Sequence, residues 1–232
     1  MSGTARRILV ILALLIAGCR VPNMEPSQSQ SPPSNAVHLP AVMKQSTTAE
    51  IQPVETGPGS PAATAAAASN AFAFALFQEL VQEKRGANVF ISPLSLSLVL
   101  QLAYNGATDV TANEMAEVLG LAGLSLDESN QASLDLQTSL RNEPNVELLI
   151  ANSAWVRQGS ALVPAYVEDA TTYFDAEVEM FQGPADVARI NGWVTENTQN
   201  MIDKIVDEVR PDDVAFLLNA VYFMGNWEKP FR

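Results

Sequence analysis

The sequence predicts an α+β domain that follows a short leader and a polar linker. Residues 72–80 and 94–104 are apolar at helical spacing or nearly all round, as amphipathic and buried helices are. Further along, residues 216–223 are an apolar run with valine and aromatic side chains, which is typical of a strand buried on both faces, and residues 146–156 also favour a strand. Helices and strands therefore occupy separate stretches of one folded region.

Residues 1–19 are predicted to be a bacterial lipoprotein signal peptide. Arg6 and Arg7 precede the apolar run Ile8–Ala17, which is too short to span a bilayer. The letters IAGC that end at Cys19 resemble a lipobox, so we expect Cys19 to be lipidated and to become the first residue of the mature chain. The protein is then exported and anchored to the cell envelope, and a secretory signal with an incidental cysteine is the alternative. One cysteine builds no disulfide framework.

Residues 20–66 are predicted to be a disordered tether rich in Pro, Ser, Gln and Ala. Eight of the fourteen prolines lie between Arg20 and Pro61, with few large apolar side chains, so this stretch cannot bury a core. The only histidine, His38, falls here and is expected to be solvated. The folded domain is expected to cover residues 67–232.

The charge balance excludes several classes of partner. The formal net charge is −13, and the leader that we expect to be removed carries two of the arginines. An acidic chain of this kind is not expected to bind nucleic acid or anionic lipid head groups, since both reward basic patches. It has no basic helix either, so a heparin-type polyanion is not an expected partner.

The first helices are predicted from apolar spacing and capping signals. Phe72, Leu76, Phe77 and Leu80 are expected to share one face of the first helix. Residues 88–91 are interpreted as a short strand. Further signals are Ser92 followed by Pro93, an N-cap with proline at the first helical position, and the capping-box spacing of Thr111 with Glu114.

Helices and strands alternate in the later part of the chain. We predict a helix over Ser125–Arg141, a strand over Val146–Val156, a helix from Pro164, a strand over Ala176–Phe181, and a last helix whose apolar stripe runs from Ile190 to Ile205. Asn152 lies inside the first of these strands.

The most distinctive feature is Asn219, a polar residue inside the apolar run 216–223. A buried amide must be hydrogen-bonded or it destabilises the sheet. The run FLLNAVYFMGNWEKPF from Phe216 resembles the third strand of the large central sheet of the serpins. A second block, NVFISPLSLSLVLQLAYNGATDVTANEMAEVLGL from Asn88, resembles the serpin segment in which a short strand leads into a buried helix. The resemblance runs from about Asn70 to the end and corresponds to roughly the first half of a serpin domain.

The resemblance implies helices packed around a large mixed β-sheet, and it implies site residues. Ser92, Ser95 and Asn219 match the serpin shutter, the polar cluster under the middle of the sheet where strands part. Trp227 matches the tryptophan of the breach, at the top of the sheet. The histidine that completes the family's shutter comes from the other half of the domain, so Asn219 is expected to be under-satisfied, and the strand 216–223 of residues 70–232 alone is expected to present an open edge.

The resemblance also implies a function. Serpins are suicide-substrate inhibitors of serine or cysteine proteases that act by inserting a cleaved reactive-centre loop into the sheet. That loop lies downstream of the strand that holds Asn219, so no reactive-centre residue is expected here. The chain alone is then expected to inhibit nothing, and the target protease is a partner only of the remaining part. A non-inhibitory serpin-like structural or binding protein, or a degenerate remnant, is the alternative.

No pattern in the sequence favours an enzyme. A nucleophilic hydrolase needs a base beside its serine or cysteine, and His38 and Cys19 lie in the tether and the leader. The paired carboxylates Asp212 and Asp213 are neighbours in a polar stretch, which gives no reason for a raised pKa. With no metal-ligand spacing and no phosphate or dinucleotide loop, we expect no catalytic residue, metal or cofactor.

Overall fold

A computed structural model describes residues 7–17, 57–143 and 146–226 of the chain. The helices are α1 (Pro61–Glu83), α2 (Pro93–Tyr104), α3 (Asp109–Val118), α4 (Leu126–Arg141), α5 (Pro164–Phe174) and α6 (Val187–Asn197), with a short 3₁₀ turn at Pro184–Asp186. The strands are β1 (Arg7–Ala17), β2 (Val146–Arg157), β3 (Ala176–Phe181) and β4 (Ala215–Asn226).

The four strands form one mixed sheet in the order β1-β4-β2-β3. β2 and β3 are parallel and are joined through α5, the crossover helix that parallel neighbours require. β4 is antiparallel to β1 on one side and to β2 on the other. The expected α+β class with a mixed sheet is confirmed.

β2 and β4 are buried by a core on each face of the sheet. On one face, Trp155 and Phe216 pack with Trp193 of α6. On the other, Leu98 of α2 and Phe174 at the end of α5 belong to a cluster that includes Val221 of β4. Cores on both sides explain why β4 reads as a continuous apolar run.

α1 begins at Pro61, before residue 67, where the sequence predicted the folded domain to start. Ser60 caps it by accepting a hydrogen bond from the backbone N–H of Ala63, and Pro61 takes the first helical position. Ala62 and Ala65 are buried, so the alanine-rich end of the expected tether belongs to the folded part. The face of α1 also differs from expectation, because Phe72 is buried whereas Phe77 is exposed.

The helix starts that depend on a serine cap agree with the sequence. Ser92 caps α2, and Ser125 caps α4 in a full capping box with Glu128. The box expected at Thr111 is wrong, because α3 already begins at Asp109. Residues 88–91 form no strand, since no described strand lies alongside to pair with them, and Phe90 is exposed.

α6 is shorter than its apolar stripe. The helix ends at Asn197, and Gln199 and Asn200 then take left-handed backbone conformations that turn the chain back. Asn191 holds the returning segment, since its Oδ1 accepts from the N–H groups of Ile205 and Val206 and its Nδ2 donates to the Val206 carbonyl. The prediction that the apolar stripe forms one continuous helix is therefore wrong, because its later residues lie on the returning segment.

Asp186 and Arg189 fix the corner between β3 and α6. The Asp186 carboxylate accepts from the backbone N–H of Gln182 at 2.7 Å and from Arg189 at 2.9 Å. Arg189 also pairs with Glu179 of β3 and lies over the Trp155 ring. One carboxylate thus organises both the end of β3 and the start of α6.

β1 is formed by the apolar run of the predicted leader. It pairs with β4 from Arg7 opposite Asn226 to Ala17 opposite Phe216. In the chain that carries these residues β4 is therefore paired on both sides, and the open edge expected above applies to a chain without them. That residues 1–19 are a removable signal peptide stays a prediction, and Cys19 and His38 lie outside the described residues. No helix in the described ranges is long and apolar enough to cross a membrane.

Candidate functional site

A buried pair of amides lies at the centre of the sheet. Asn219 of β4 is directly opposite Asn152 of β2, and both side chains are inaccessible to solvent. Asn219 Nδ2 donates to Asn152 Oδ1 at 2.8 Å, and Asn152 Nδ2 donates to the carbonyl of Phe174 at 2.7 Å. The two amides therefore connect β4 through β2 to the end of α5.

The pair leaves one strong acceptor unused. Asn219 Oδ1 is buried and has no hydrogen-bond partner among the described residues. An unpaired buried acceptor costs about 1–3 kcal/mol. The expectation that Asn219 is under-satisfied is thus confirmed for its oxygen and wrong for its nitrogen, which Asn152 satisfies.

Ser92 and Ser95 lie in the first turn of α2, the helix that packs on the same sheet. Ser92 Oγ donates to Ser95 Oγ at 3.1 Å and also accepts from the backbone N–H of Ser95. Ser95 is fully buried, and α2 contacts β4. Among the described residues no hydrogen bond joins these serines to Asn219, so the residues predicted to form a shutter lie in two separate groups, a serine pair and the amide pair of Asn219 with Asn152.

Sequence reasoning gave Asn152 no role. The signal was the same one that identified Asn219, a lone amide in an apolar strand. Pattern alone could not show that the two strands are neighbours or that the two amides share a register position, since pairing of distant strands is a tertiary property. The Phe174 carbonyl had no sequence signal, because it is a backbone group at a helix end.

A second buried polar network lies among the helices, and the sequence did not predict it. Gln101 of α2 donates to Ser97 at 3.0 Å and accepts from Ser133 of α4. Gln137, also of α4, donates to the carbonyl of Tyr173 in α5 at 3.1 Å, while its Oε1 has no partner within the described ranges. Neutral amides and hydroxyls thus join three helices beside the sheet.

The amide and serine groups carry no charge, so pH does not act on them directly. Arg141 of α4 donates to the carbonyl of Ile150 in β2 at 2.8 Å. Burial lowers the pKa of Arg141, and the charge of Asp175 opposes that shift.

No group of three or more His, Cys, Asp and Glu side chains lies close enough to hold a metal in the described parts of the chain. Trp227 lies outside them.

Comparison with known proteins identifies the family. The sequence model described as serpin (serine protease inhibitor) matches residues 67–232. A serpin-like protein of Methanosarcina acetivorans is 33% identical over 180 residues, 72% of this chain and 41% of the relative. A serpin-like protein of Thermococcus kodakarensis is 32% identical over 232 residues, 97% of this chain and 52% of the relative.

The fold agrees with that match. The solved structure of tengpin, a thermophilic serpin, in its latent state is similar with a TM-score of 0.65 and 31% identity, covering 71% of this chain and 44% of tengpin. The chain thus spans about half the length of the relatives that it matches. From the family match and this likeness, the chain belongs to the serpin family.

Proposed function

We propose that the chain is the N-terminal part of a suicide-substrate inhibitor of serine or cysteine proteases. In this proposal the full-length parent is cleaved in a reactive loop outside residues 1–232, and the cleaved loop enters the sheet as a new strand. The observation that carries the proposal is the buried Asn152–Asn219 pair at the centre of the sheet, with Asn219 Oδ1 left free to accept a further hydrogen bond.

The chemistry of the pair suits a part of the sheet that rearranges. Amides and hydroxyls can exchange partners at similar free energy, whereas an apolar seam has one favoured packing. A donor supplied by another part of the parent would satisfy Asn219 Oδ1 in one arrangement and leave it in another. Asn219 is then a residue whose bonding changes between states, and Ser92 and Ser95 stabilise the first turn of α2, the helix that contacts the same strand.

In this proposal the chain is not an enzyme and needs no cofactor or metal. It supplies sheet strands and the shutter but no protease bait, so its protease partner is reached only through the rest of the parent. A non-inhibitory serpin-like scaffold is the alternative, and the same experiment separates the two.

The test compares this chain with the product of the complete gene. Each is incubated with trypsin-, chymotrypsin- and elastase-like proteases and with a papain-like protease, and resolved on denaturing gels. We expect a covalent protease complex, stable to detergent, from the complete product only. Cleavage of the complete product without any complex would favour the scaffold alternative, and inhibition by residues 1–232 alone would contradict the proposal.

We further propose that the protein is exported and anchored to the envelope through lipidated Cys19. Inhibition of the lipoprotein signal peptidase, or Cys19→Ala, should leave the precursor unprocessed and keep any mature form out of the membrane fraction. The measurement is the mass of the N-terminal peptide together with fractionation. Normal processing of Cys19→Ala at the same position would contradict lipidation and support a plain secretory signal.

A further inference from the structure

α6 contains a glycine that its backbone does not require. Gly192 lies in the middle of the helix, where glycine is less favourable than alanine. Its backbone is not left-handed, and a Cβ added to it would meet no atom within 4 Å among the described residues. Neither a turn nor a close contact explains this glycine. What Gly192 does change is the reactivity of Asn191, the residue before it.

An asparagine followed by glycine loses its side-chain amide readily, because glycine has no Cβ to hinder the approach of its nitrogen. The backbone nitrogen of Gly192 would attack Cγ of Asn191, and the side-chain nitrogen would leave as ammonia, taking the proton of the attacking N–H. The product is a five-membered succinimide ring. Water then opens the ring at either carbonyl and leaves aspartate or isoaspartate. The net reaction is the hydrolysis of one amide, and water is its only co-reactant.

The fold blocks this reaction in two ways. The Asn191 amide is held by the returning segment, since its Oδ1 accepts from the N–H groups of Ile205 and Val206, each at 2.9 Å, and its Nδ2 donates to the Val206 carbonyl at 2.8 Å. The Gly192 N–H lies beyond the first turn of α6, where backbone N–H groups bond to carbonyls within the helix. Attack therefore requires that residues 198–206 leave Asn191 and that this part of α6 opens.

We propose that Asn191 is a deamidation site gated by this local opening. The closed form protects the side chain, and each opening lets Gly192 react. The products do not allow the closed form to return, since aspartate has no N–H for the Val206 carbonyl and isoaspartate adds an atom to the helix backbone. The reaction thus converts a reversible opening into a permanent one. This proposal does not depend on the protease inhibition proposed above.

A second Asn-Gly pair in the sequence provides an internal reference. Asn105 precedes Gly106 at the end of α2, and its amide exchanges two hydrogen bonds with Asn130 of α4, so a different contact protects it. The full chain is kept in mildly alkaline buffer with and without urea, and mass spectrometry follows the replacement of NH2 by OH in each peptide. We expect both asparagines to react slower by about tenfold or more without urea. Equal rates for Asn191 in the two conditions would overturn the gating.

Two variants separate local opening from global unfolding. Thr198→Val keeps the size of a buried side chain and removes the hydroxyl that bonds to backbone groups four residues away on either side, which loosens the returning segment. Asn130→Ala loosens the contact of Asn105 instead. We expect Thr198→Val to speed deamidation of Asn191 by about threefold or more and to leave Asn105 unchanged, and Asn130→Ala to do the reverse. Equal changes at both sites, or no change at Asn191 in Thr198→Val, would contradict a local gate.

Gly192→Ala tests the chemical step. The added Cβ meets open space in the folded chain, and it hinders the attacking nitrogen in the open one. We expect Gly192→Ala to slow the reaction of Asn191 in urea by about tenfold or more and to leave that of Asn105 unchanged. An unchanged rate at Asn191 would contradict attack by the Gly192 nitrogen.

Asn191→Asp tests the consequence, because it places one product in the chain directly. We expect faster hydrogen exchange at the amides of Ile205 and Val206 than in the parent chain, since the Val206 carbonyl loses its donor and faces a carboxylate. Exchange as slow as in the parent chain would show that the product lets the segment close again, and the claim of a permanent opening would be overturned.

Discussion

Asn152 and Asn219 carry unequal shares of the hydrogen bonding at the centre of the sheet. Asn152 uses both of its polar atoms, one toward Phe174 and one toward Asn219. Asn219 uses only its nitrogen. Replacing each residue by valine should therefore have different effects, although the two are opposite one another and equally buried.

We expect Asn219→Val to change the free energy of unfolding by less than about 1 kcal/mol, because it removes one unpaired acceptor and creates another on Asn152. Asn152→Val should cost about 2–4 kcal/mol, because it leaves the Phe174 carbonyl and the whole Asn219 amide unpaired. Urea melts of the two variants make the comparison. If Asn219→Val lowers the free energy of unfolding more than Asn152→Val does, Asn219 is a locally satisfied structural residue.

Asn219→Val is expected to have a different effect in the full-length parent. Because Asn219 is proposed to exchange partners between states, Asn219→Val should alter the ratio of trapped protease to cleaved inhibitor in a protease-complex gel. Unchanged trapping would show that the amide takes no part in the conformational change, and the shutter assignment of Asn219 would then be dropped.

Asp186 makes the stability of the β3–α6 corner depend on pH. The backbone N–H of Gln182 lowers the pKa of this carboxyl most, and Arg189 and the N–H of Gly183 lower it further. A lowered pKa means that the ionised form stabilises the fold above the ordinary value of 3.8, and that this contribution is lost as the pH falls through the lowered pKa.

We expect Asp186→Asn to be less stable than the parent chain at pH 7 and to lose less stability on acidification below about pH 4. Urea midpoints across that range measure the difference. Asp203→Asn, which removes an exposed carboxylate, is the control for net charge. Parallel acid curves for the parent chain and Asp186→Asn would contradict this role.

At the scale of elements, the segment after α6 is held by side-chain bonds where the sequence predicted helix. Asn191 makes three hydrogen bonds to the backbone of Ile205 and Val206, and Val206 is buried in the same core as Trp193. This segment lies in neither a helix nor a strand, so it lacks their regular backbone hydrogen bonds. Its conformation therefore depends on the hydrogen bonds that Asn191 makes to it.

Asn191→Ala should therefore cost about 2–3 kcal/mol and speed hydrogen exchange at the amides of Ile205 and Val206, because three backbone groups lose their partner. Asn197→Ala on the same helix is the matched control, since within the described residues its side chain makes one hydrogen bond, to the Trp193 carbonyl. Similar exchange rates in the two variants would show that packing alone holds the segment.

Helix ends and strand cores could be predicted from the sequence where one local signal decided them. Ser92 with Pro93, and Pro164, fixed the starts of α2 and α5 because caps depend on a few adjacent residues. The end of α6 could not be predicted in this way, since the apolar stripe continues beyond Asn197 and the bonds of Asn191 to a returning segment compete with further helix. The partner of Asn219 was likewise hidden, because it depends on which strands are neighbours.

At the scale of the whole molecule, the state of β4 depends on whether residues 7–17 are present. Residues 57–232 alone keep the whole of α1 and retain β2 on one side of β4 but lose β1 from the other. We expect this shorter chain to aggregate or to bind a dye for apolar surfaces at micromolar concentration, unlike the full chain with Cys19→Ser, a change that is expected to keep residues 7–17 attached. A monomeric shorter chain with one cooperative unfolding transition would contradict this.

The position of the two amides also bears on how the strands find each other during folding. β4 is apolar for most of its length, so hydrophobic burial alone favours several alignments with β2 that differ by two residues. Only the alignment with Asn152 opposite Asn219 brings the two amides together; a shift would bury each of them against apolar neighbours. The cost of such a shift exceeds that of the one unpaired oxygen, so the amide pair selects a single alignment, as a buried asparagine does in a coiled coil.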